Sequence, residues 1–158
     1  MPSPDPVSLI QWSSVLPDGD LHCRATALAV DGQGALILGA SGSGKSGLAL
    51  AMIAQGATLI ADDGVTVRAT PSGLHLQVPA TSPNLIEARG LGLLHPGPIC
   101  AAAPLRIAID LSRAEPDRLP PARTVIWNGQ TAPLALGKDV PALPAALMIL
   151  LRHGRADV

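Results

Sequence analysis

The sequence predicts an α/β domain in which a β-rich sheet surrounds one central phosphate-binding helix. Three observations predict it. An apolar run at residues 35–38 leads directly into Gly39-Ala-Ser-Gly-Ser-Gly-Lys-Ser46, which fills every fixed position of the G-x-x-x-x-G-K-[ST] pattern. An Ala/Leu-rich run of helical character follows, and Gly56 is a natural stop for it. Most of the remaining chain is short β-rich runs punctuated by Gly, Pro, Asn and Asp.

Taken in order, residues 1–6 are proline-rich and expected to be disordered, and residues 7–12 form a short edge strand. Residues 21–30 read as one strand, Asp31-Gly32-Gln33-Gly34 as a tight hairpin turn, and residues 35–38 as the strand entering the glycine-rich loop. The helix is expected over residues 45–55. Residues 57–68 read as two β-rich runs around Asp62-Asp63-Gly64, and Asp63-Gly64 taken alone is a hairpin-turn signal. After a turn at Thr70-Pro-Ser-Gly73, Leu74, Leu76 and Val78 alternate with His75 and Gln77, which turns His75 to solvent.

Residues 79–97 lack a clear period and read as a long irregular loop. It holds Glu87, Arg89, Gly90 and Gly92, and long charged loops in compact domains are often functional. A further strand covers residues 105–111, a polar loop residues 112–121, and a β pair residues 124–127 and 131–136 around Asn128-Gly129. The last helix, over residues 142–153, carries Leu143, Leu147, Leu150 and Leu151 on a side that needs a partner, either the sheet or another subunit.

The loop chemistry demands its residue types. Backbone N–H groups can wrap a phosphate only where no Cβ blocks the approach, which Gly39, Gly42 and Gly44 allow. The unpaired N–H groups and positive dipole end of the following helix also favour an anion. Lys45 adds a mobile charge for the β- and γ-phosphates, and the Ser46 hydroxyl is placed to ligate the Mg²⁺ that accompanies a nucleotide. Gly39, Ala40, Ser41, Gly42, Ser43, Gly44, Lys45 and Ser46 are therefore the candidate nucleotide-binding residues.

Composition narrows the partners. The chain has 158 residues, expected to form one domain over 1–158, with a formal charge of -1 that supplies no electrostatic footprint for nucleic acid or an anionic membrane. Phe and Tyr are absent and Trp occurs only at 12 and 127, so stacking on single-stranded bases is disfavoured. Cys23 and Cys100 are too few for a disulfide framework and lack any sign of activation. The N-terminus lacks signal-peptide blocks and no apolar run reaches the roughly 20 residues that span a bilayer, which predicts a cytoplasmic protein.

The neighbours of the loop narrow the family. Ala61-Asp62-Asp63 soon after the helix, then Glu87-Ala88-Arg89-Gly90-Leu91-Gly92, then Asp117-Arg118-Leu119, together resemble the catalytic domain of HPr kinase/phosphorylase. That bifunctional bacterial enzyme acts on a serine of the phosphocarrier HPr. The resemblance runs from about residue 21 to the C-terminus, and the hallmark Glu-Ile-Arg-Gly-Leu-Gly is altered at one position. It implies a P-loop kinase domain of the HPr kinase C-terminal and phosphoenolpyruvate carboxykinase-like type. The family's separate N-terminal domain has no counterpart, so the chain resembles a reduced form with the kinase domain alone.

The resemblance also implies roles. Asp63 would accept the proton of the attacking serine, and donate it in the reverse reaction with phosphate. Asp62 would contact Lys45, Ser46 or the metal shell, and Glu87 would be a metal-side carboxylate supported by Arg89, Gly90 and Gly92. Arg118 would offset charge on the transferred group. Each has a plain alternative: a turn with solvated acids, a surface Glu87–Arg89 pair, an ordinary loop arginine. The family's functional His aligns without gaps on Arg24, while His22 lies two residues earlier on the same strand face, so a small bulge or displaced register would deliver His22 as the catalytic His; otherwise Arg24 occupies that place. A permanent cation there would work against proton donation, which bears on phosphorolysis. Gly47 also stands where the family usually carries an acid.

The expected function is an ATP- and Mg²⁺-dependent protein-serine kinase acting on HPr, with phosphorolysis of the product as a second activity. Long members of the family are hexamers, so a homo-oligomer is expected by resemblance. A non-catalytic ATP-sensing module and a small-molecule P-loop kinase are the alternatives; the arginine-rich lid usual in the latter is not seen.

Overall fold

The computed structural model describes residues 3–156. Among the described residues, thirteen strands and two α-helices follow one another as β1 (Val7–Ser8), β2 (Ser13–Val15), β3 (Leu21–Cys23), β4 (Thr26–Val30), β5 (Gln33–Leu38), α1 (Lys45–Ala54), β6 (Thr58–Ala61) and β7 (Val65–Thr70). Then come β8 (Gly73–Gln77), β9 (Ile86–Ala88), β10 (Gly92–Leu94), β11 (Ala102–Ala114), β12 (Arg123–Trp127), β13 (Gln130–Lys138) and α2 (Leu143–His153). Of the leader expected to be disordered, residues 1 and 2 lie outside the described residues. The edge strand expected at 7–12 shrinks to β1, which pairs in parallel with β12, and Leu9–Trp12 winds into a 3-10 turn capped by the Ser8 side chain.

β11 organises the fold because its two halves belong to different sheets. Its first residues pair antiparallel with β8, and its later residues lie parallel to β5 and β13. An inner sheet runs β1-β12-β13-β11-β5-β4-β6 and an outer sheet β2-β3-β7-β8-β11. The helices cover the inner sheet's other face, making three layers. Leu21, Cys23, Leu36, Leu38, Ile60 and Val67 fill the space between the sheets. Leu28, Ile37, Met52, Ile109, Leu147 and Leu151 fill that between inner sheet and helices. The apolar side of α2 thus finds its partner surface on the sheet and α1.

The expected α/β class, the phosphate-loop helix and both tight hairpins are borne out. Asp31 and Gly32 take φ values of 50° and 77°, and Asn128 and Gly129 take 49° and 79°, the paired left-handed geometry of two-residue hairpin turns.

Three further expectations are corrected. The run at 21–30 is two strands, because the Arg24 N–H leaves the ladder for the Trp12 carbonyl at 2.7 Å and the chain crosses between sheets at Arg24 and Ala25. Asp63-Gly64 is not a hairpin turn: β6 pairs with β4, whereas β7 pairs with β3 and β8. The loop expected over 79–97 contains the β9–β10 hairpin, closed by the Leu91 N–H on the Ala88 carbonyl at 2.9 Å.

Candidate active site

β5 delivers the glycine-rich loop at its carboxyl end. Gly39 has φ +147°, and a Cβ there would come within 2.5 Å of Ser43 Oγ, so glycine is required for the loop to close on itself. Gly44, at φ +99°, turns the chain into α1 with no side-chain cap, leaving the first-turn N–H groups for an anion. The Lys45 ammonium donates to the carbonyls of Gly39 at 2.9 Å and Ala40 at 3.2 Å, which holds it over the loop. Ser43 Oγ is buried without a hydrogen-bond partner among the described residues, as suits a loop built to wrap oxygen atoms.

The two sheet crossings come together beside this loop. The Gly64 N–H donates to the Ala25 carbonyl at 2.9 Å, tying the corner after the paired aspartates to the crossing after β3. Asp62, at the end of β6, accepts the Ser46 hydroxyl at 2.9 Å, the Thr26 hydroxyl at 2.8 Å and the Glu87 N–H at 3.1 Å. Asp63 is exposed, with φ +60°. It lines a cavity of about 630 Å³ with Lys45, Ser46, Asp62, Glu87 and Arg89. Alternation along β9 explains the last two: Ile86 and Ala88 are buried, Ile86 in the core with α1, which turns Glu87 and Arg89 outward.

Asp63 and Lys45 also line a second cavity of about 530 Å³, with Arg24, Asp110, Ser112 and Arg113. Asp110 ends the inner part of β11 opposite Leu38 and is only 3% exposed. Its carboxylate accepts the Ser112 N–H at 2.9 Å, and Ser112 Oγ accepts the Ala40 N–H at 2.9 Å, so the strand beside the loop braces its first residues.

Most expected residues therefore converge: the loop 39–46, Asp62, Asp63, Glu87 and Arg89 share one cavity system. Gly90 and Gly92, at φ +90° and +106°, turn and close the hairpin that carries Glu87. Two residues are placed elsewhere. His22 lies in β3 with its ring over Gly64, where an added Cβ would meet Cε1 at 3.0 Å, and it is Arg24 that reaches the cavity of Asp63 and Lys45. Arg118 lines a separate cavity against β13 and α2. Thr26, Asp110, Ser112 and Arg113 carry no motif; the available signal was a lone acid ending an apolar strand run and a threonine inside another.

The oxygen donors of Ser46, Asp62 and Glu87 form a hard set that suits Mg²⁺, which takes one or two carboxylates and completes its shell with water and phosphate. No helix among the described residues is long and apolar enough to cross a membrane.

Comparison with known proteins places these features in a family. A family model described as the HPr Serine kinase C-terminal domain matches residues 19–102. A protein named HPr kinase/phosphorylase from Azoarcus sp. is 35% identical over 122 residues, 73% of this chain and 39% of that protein. Its namesake from Cupriavidus necator is 50% identical over 64 residues, 40% of this chain and 20% of that protein. The chain thus spans between a fifth and two fifths of the curated relatives it matches. The solved structure of the Hpr(Ser) kinase/phosphatase from Coxiella burnetii is similar with a TM-score of 0.68 at 25% identity, over 83% of this chain and 88% of that one. The matched stretch holds the loop, the paired aspartates and the Glu87 hairpin, and covers more than half of the sequence: the chain belongs to the HPr Serine kinase C-terminal domain family.

Proposed function

We propose that this protein transfers the terminal phosphoryl group of ATP, with Mg²⁺, to a serine hydroxyl of HPr. The observation that carries the reading is the carboxylate of Asp62 bound to the Ser46 hydroxyl at 2.9 Å while its neighbour Asp63 shares a cavity with Lys45. One aspartate is committed to the metal and loop side. The other is free to meet an acceptor.

Phosphoryl transfer passes through a loose transition state in most analyses, so alignment and charge neutralisation supply most of the rate. Mg²⁺, when bound, offsets charge on the phosphate oxygens; Ser46, Asp62 and Glu87 are the residues that would hold it. The loop N–H groups and Lys45 orient the phosphates. The serine oxygen forms a bond to the γ-phosphorus as the bond to the bridging oxygen breaks and ADP leaves. Asp63 accepts the serine proton. Its exposure leaves it open to a protein side chain, and Leu91 and Leu93, 80% and 68% exposed on the neighbouring hairpin, offer apolar surface to a macromolecular acceptor.

In this reading the cations beside the transferred group are Lys45 and Arg24, with Arg118 outside the site. Arg24 in place of a titratable ring favours the forward reaction over phosphorolysis, since a guanidinium neither takes up nor releases a proton near neutral pH.

The test is incubation with Mg-ATP and HPr, read by mass spectrometry for phosphoserine, beside a calorimetric ATP titration. Phosphoserine formed by the wild type and lost in Asp63→Ala, with ATP binding retained, is expected. ATP binding without any transfer would instead identify a nucleotide sensor.

A further inference from the structure

Lys45 and Asp63 stand between two cavities, and the metal-side donors Ser46, Asp62 and Glu87 line only the first of them. The second, of about 530 Å³, has Gln11 and Trp12 in its lining. Both belong to the 3-10 turn between β1 and β2.

That turn is held from several sides. β1 pairs with β12 of the inner sheet and β2 with β3 of the outer sheet, so the turn bridges the two layers. Leu9 is fully buried between the sheets, and the half-buried Trp12 packs against the same core. The Ser8 hydroxyl accepts the Ile10 N–H, Ser13 Oγ donates to the Leu9 carbonyl at 2.7 Å, and the Trp12 carbonyl accepts the Arg24 N–H at 2.7 Å. These bonds use serines and main chain, which leaves the amide of the exposed Gln11 outside them. Residues tied down in this way present their side chains at fixed positions, as a selecting site needs.

We infer that Gln11 and Trp12 select the acceptor: they form the wall against which the segment carrying the reacting serine lies while its hydroxyl faces Asp63. The inference rests on the reading of Asp63 as the proton acceptor in transfer to a protein serine. It goes beyond that reading by naming residues that choose the acceptor.

Access supports it. Transfer needs the attacking and leaving oxygens roughly in line across the phosphorus. Phosphates held by the loop on the side of Ser46, Asp62 and Glu87 leave Asp63 approachable from the second cavity.

The chemistry of the lining agrees. A glutamine amide offers a donor and an acceptor, the pair that an extended peptide main chain presents. Trp12 adds a flat apolar surface with one N–H donor, a combination enriched where proteins meet. Arg24 and Arg113, in the same lining, are donors for peptide carbonyls. The acceptor feature that fits is an exposed main-chain segment with an apolar residue beside its serine.

The test is steady-state transfer from Mg-ATP to HPr, read as phosphoserine by mass spectrometry, in Gln11→Ala and Trp12→Phe, with calorimetry of Mg-ATP alongside. Phe keeps apolar packing of position 12 against the core and removes the indole N–H. Each variant is expected to raise KM for HPr about three- to tenfold, the worth of a hydrogen bond. kcat and Mg-ATP affinity are expected to stay within about twofold, and one folded variant with that split is sufficient support. A residue that merely supported the fold would lower the urea midpoint and move both substrates together.

KM for HPr unchanged in both variants overturns the acceptor wall and leaves the kinase reading intact. Mg-ATP affinity falling as much as that for HPr also overturns it, since the turn then serves the nucleotide. No phosphoserine from the wild type overturns the kinase reading and the wall together.

Discussion

Ser46 at the start of α1 donates its hydroxyl to Asp62 at the end of β6 at 2.9 Å, joining residues 16 positions apart. Through Thr26 and the Glu87 N–H the same carboxylate also binds β4 and the β9–β10 hairpin, so one side chain ties three elements beside the loop together. Such groups typically alter metal affinity by about 10- to 100-fold when mutated. Ser46→Ala and Asp62→Asn are each expected to lower Mg-ATP affinity by about that factor. Calorimetric titrations with and without EDTA read it, and metal-free ATP binding should change much less.

Asp63→Asn is expected to cut phosphoryl transfer by about 10²- to 10⁴-fold, the usual worth of positioned acid-base help. Asn tolerates the left-handed backbone at φ +60°, so unfolding midpoints should match the wild type. ATP affinity within twofold of wild type, alongside the rate loss, separates a proton acceptor from a binding residue.

Trp12 lines the cavity that holds Gly39, Lys45 and Asp63, whereas Trp127 ends β12 on the inner sheet. Pyrophosphate binding at the loop is expected to shift tryptophan emission through Trp12. Trp12→Phe should abolish the change and Trp127→Phe should keep it, as a fluorescence titration of both variants will show.

Burial pushes the Cys23 thiol up to about 11 from 9.0, with a hydrogen bond to Ser13 pulling weakly the other way. The unfolded chain releases this proton near the ordinary value while the folded chain retains it, so between those values the unfolded state binds fewer protons. The stabilisation is complete below pH 9.0 and is lost as pH rises towards about 11, with a slope of up to about 1.4 kcal/mol per pH unit. Urea unfolding over that interval should show a steeper decline for the wild type than for Cys23→Ala, and the absence of tyrosine removes the usual competing titration.

Gly34 packs where β5 passes β11: an added Cβ would stand 2.6 Å from the Pro104 carbonyl oxygen. Backbone cannot move aside as a side-chain tip can. Gly34→Ala is expected to cost about 1–3 kcal/mol of stability, read as a lower urea midpoint, without changing loop chemistry.

The loop was legible in sequence because its residues are contiguous and each answers to a local requirement for left-handed backbone, charge or a hydroxyl. The hairpins at Asp31-Gly32 and Asn128-Gly129 were legible for the same reason. Partner choice was not. Residues 21–30 are mostly apolar and read as one strand, yet the exposed Arg24 marks a passage between sheets that only the ladder with β7 on one side and β5 on the other reveals. Asp63 does take the turn conformation its sequence suggests, but β6 and β7 find different partners. Arg118 shows the same limit, since the cavity it lines is completed by residues of β13 and α2 that follow it in the chain. Asp110 left no motif at all; what marks it is burial.

One peptide bond separates Asp62, anchored in the layer of strands that carries α1, from Asp63, which opens the passage to the opposite layer. That junction is a seam for building chimeras. Exchanging the β7–β8 hairpin, whose tip lies at Pro71 and Ser72, leaves the Ser46–Asp62 contact untouched. Lengthening the connection between α1 and β6 would displace both carboxylates together.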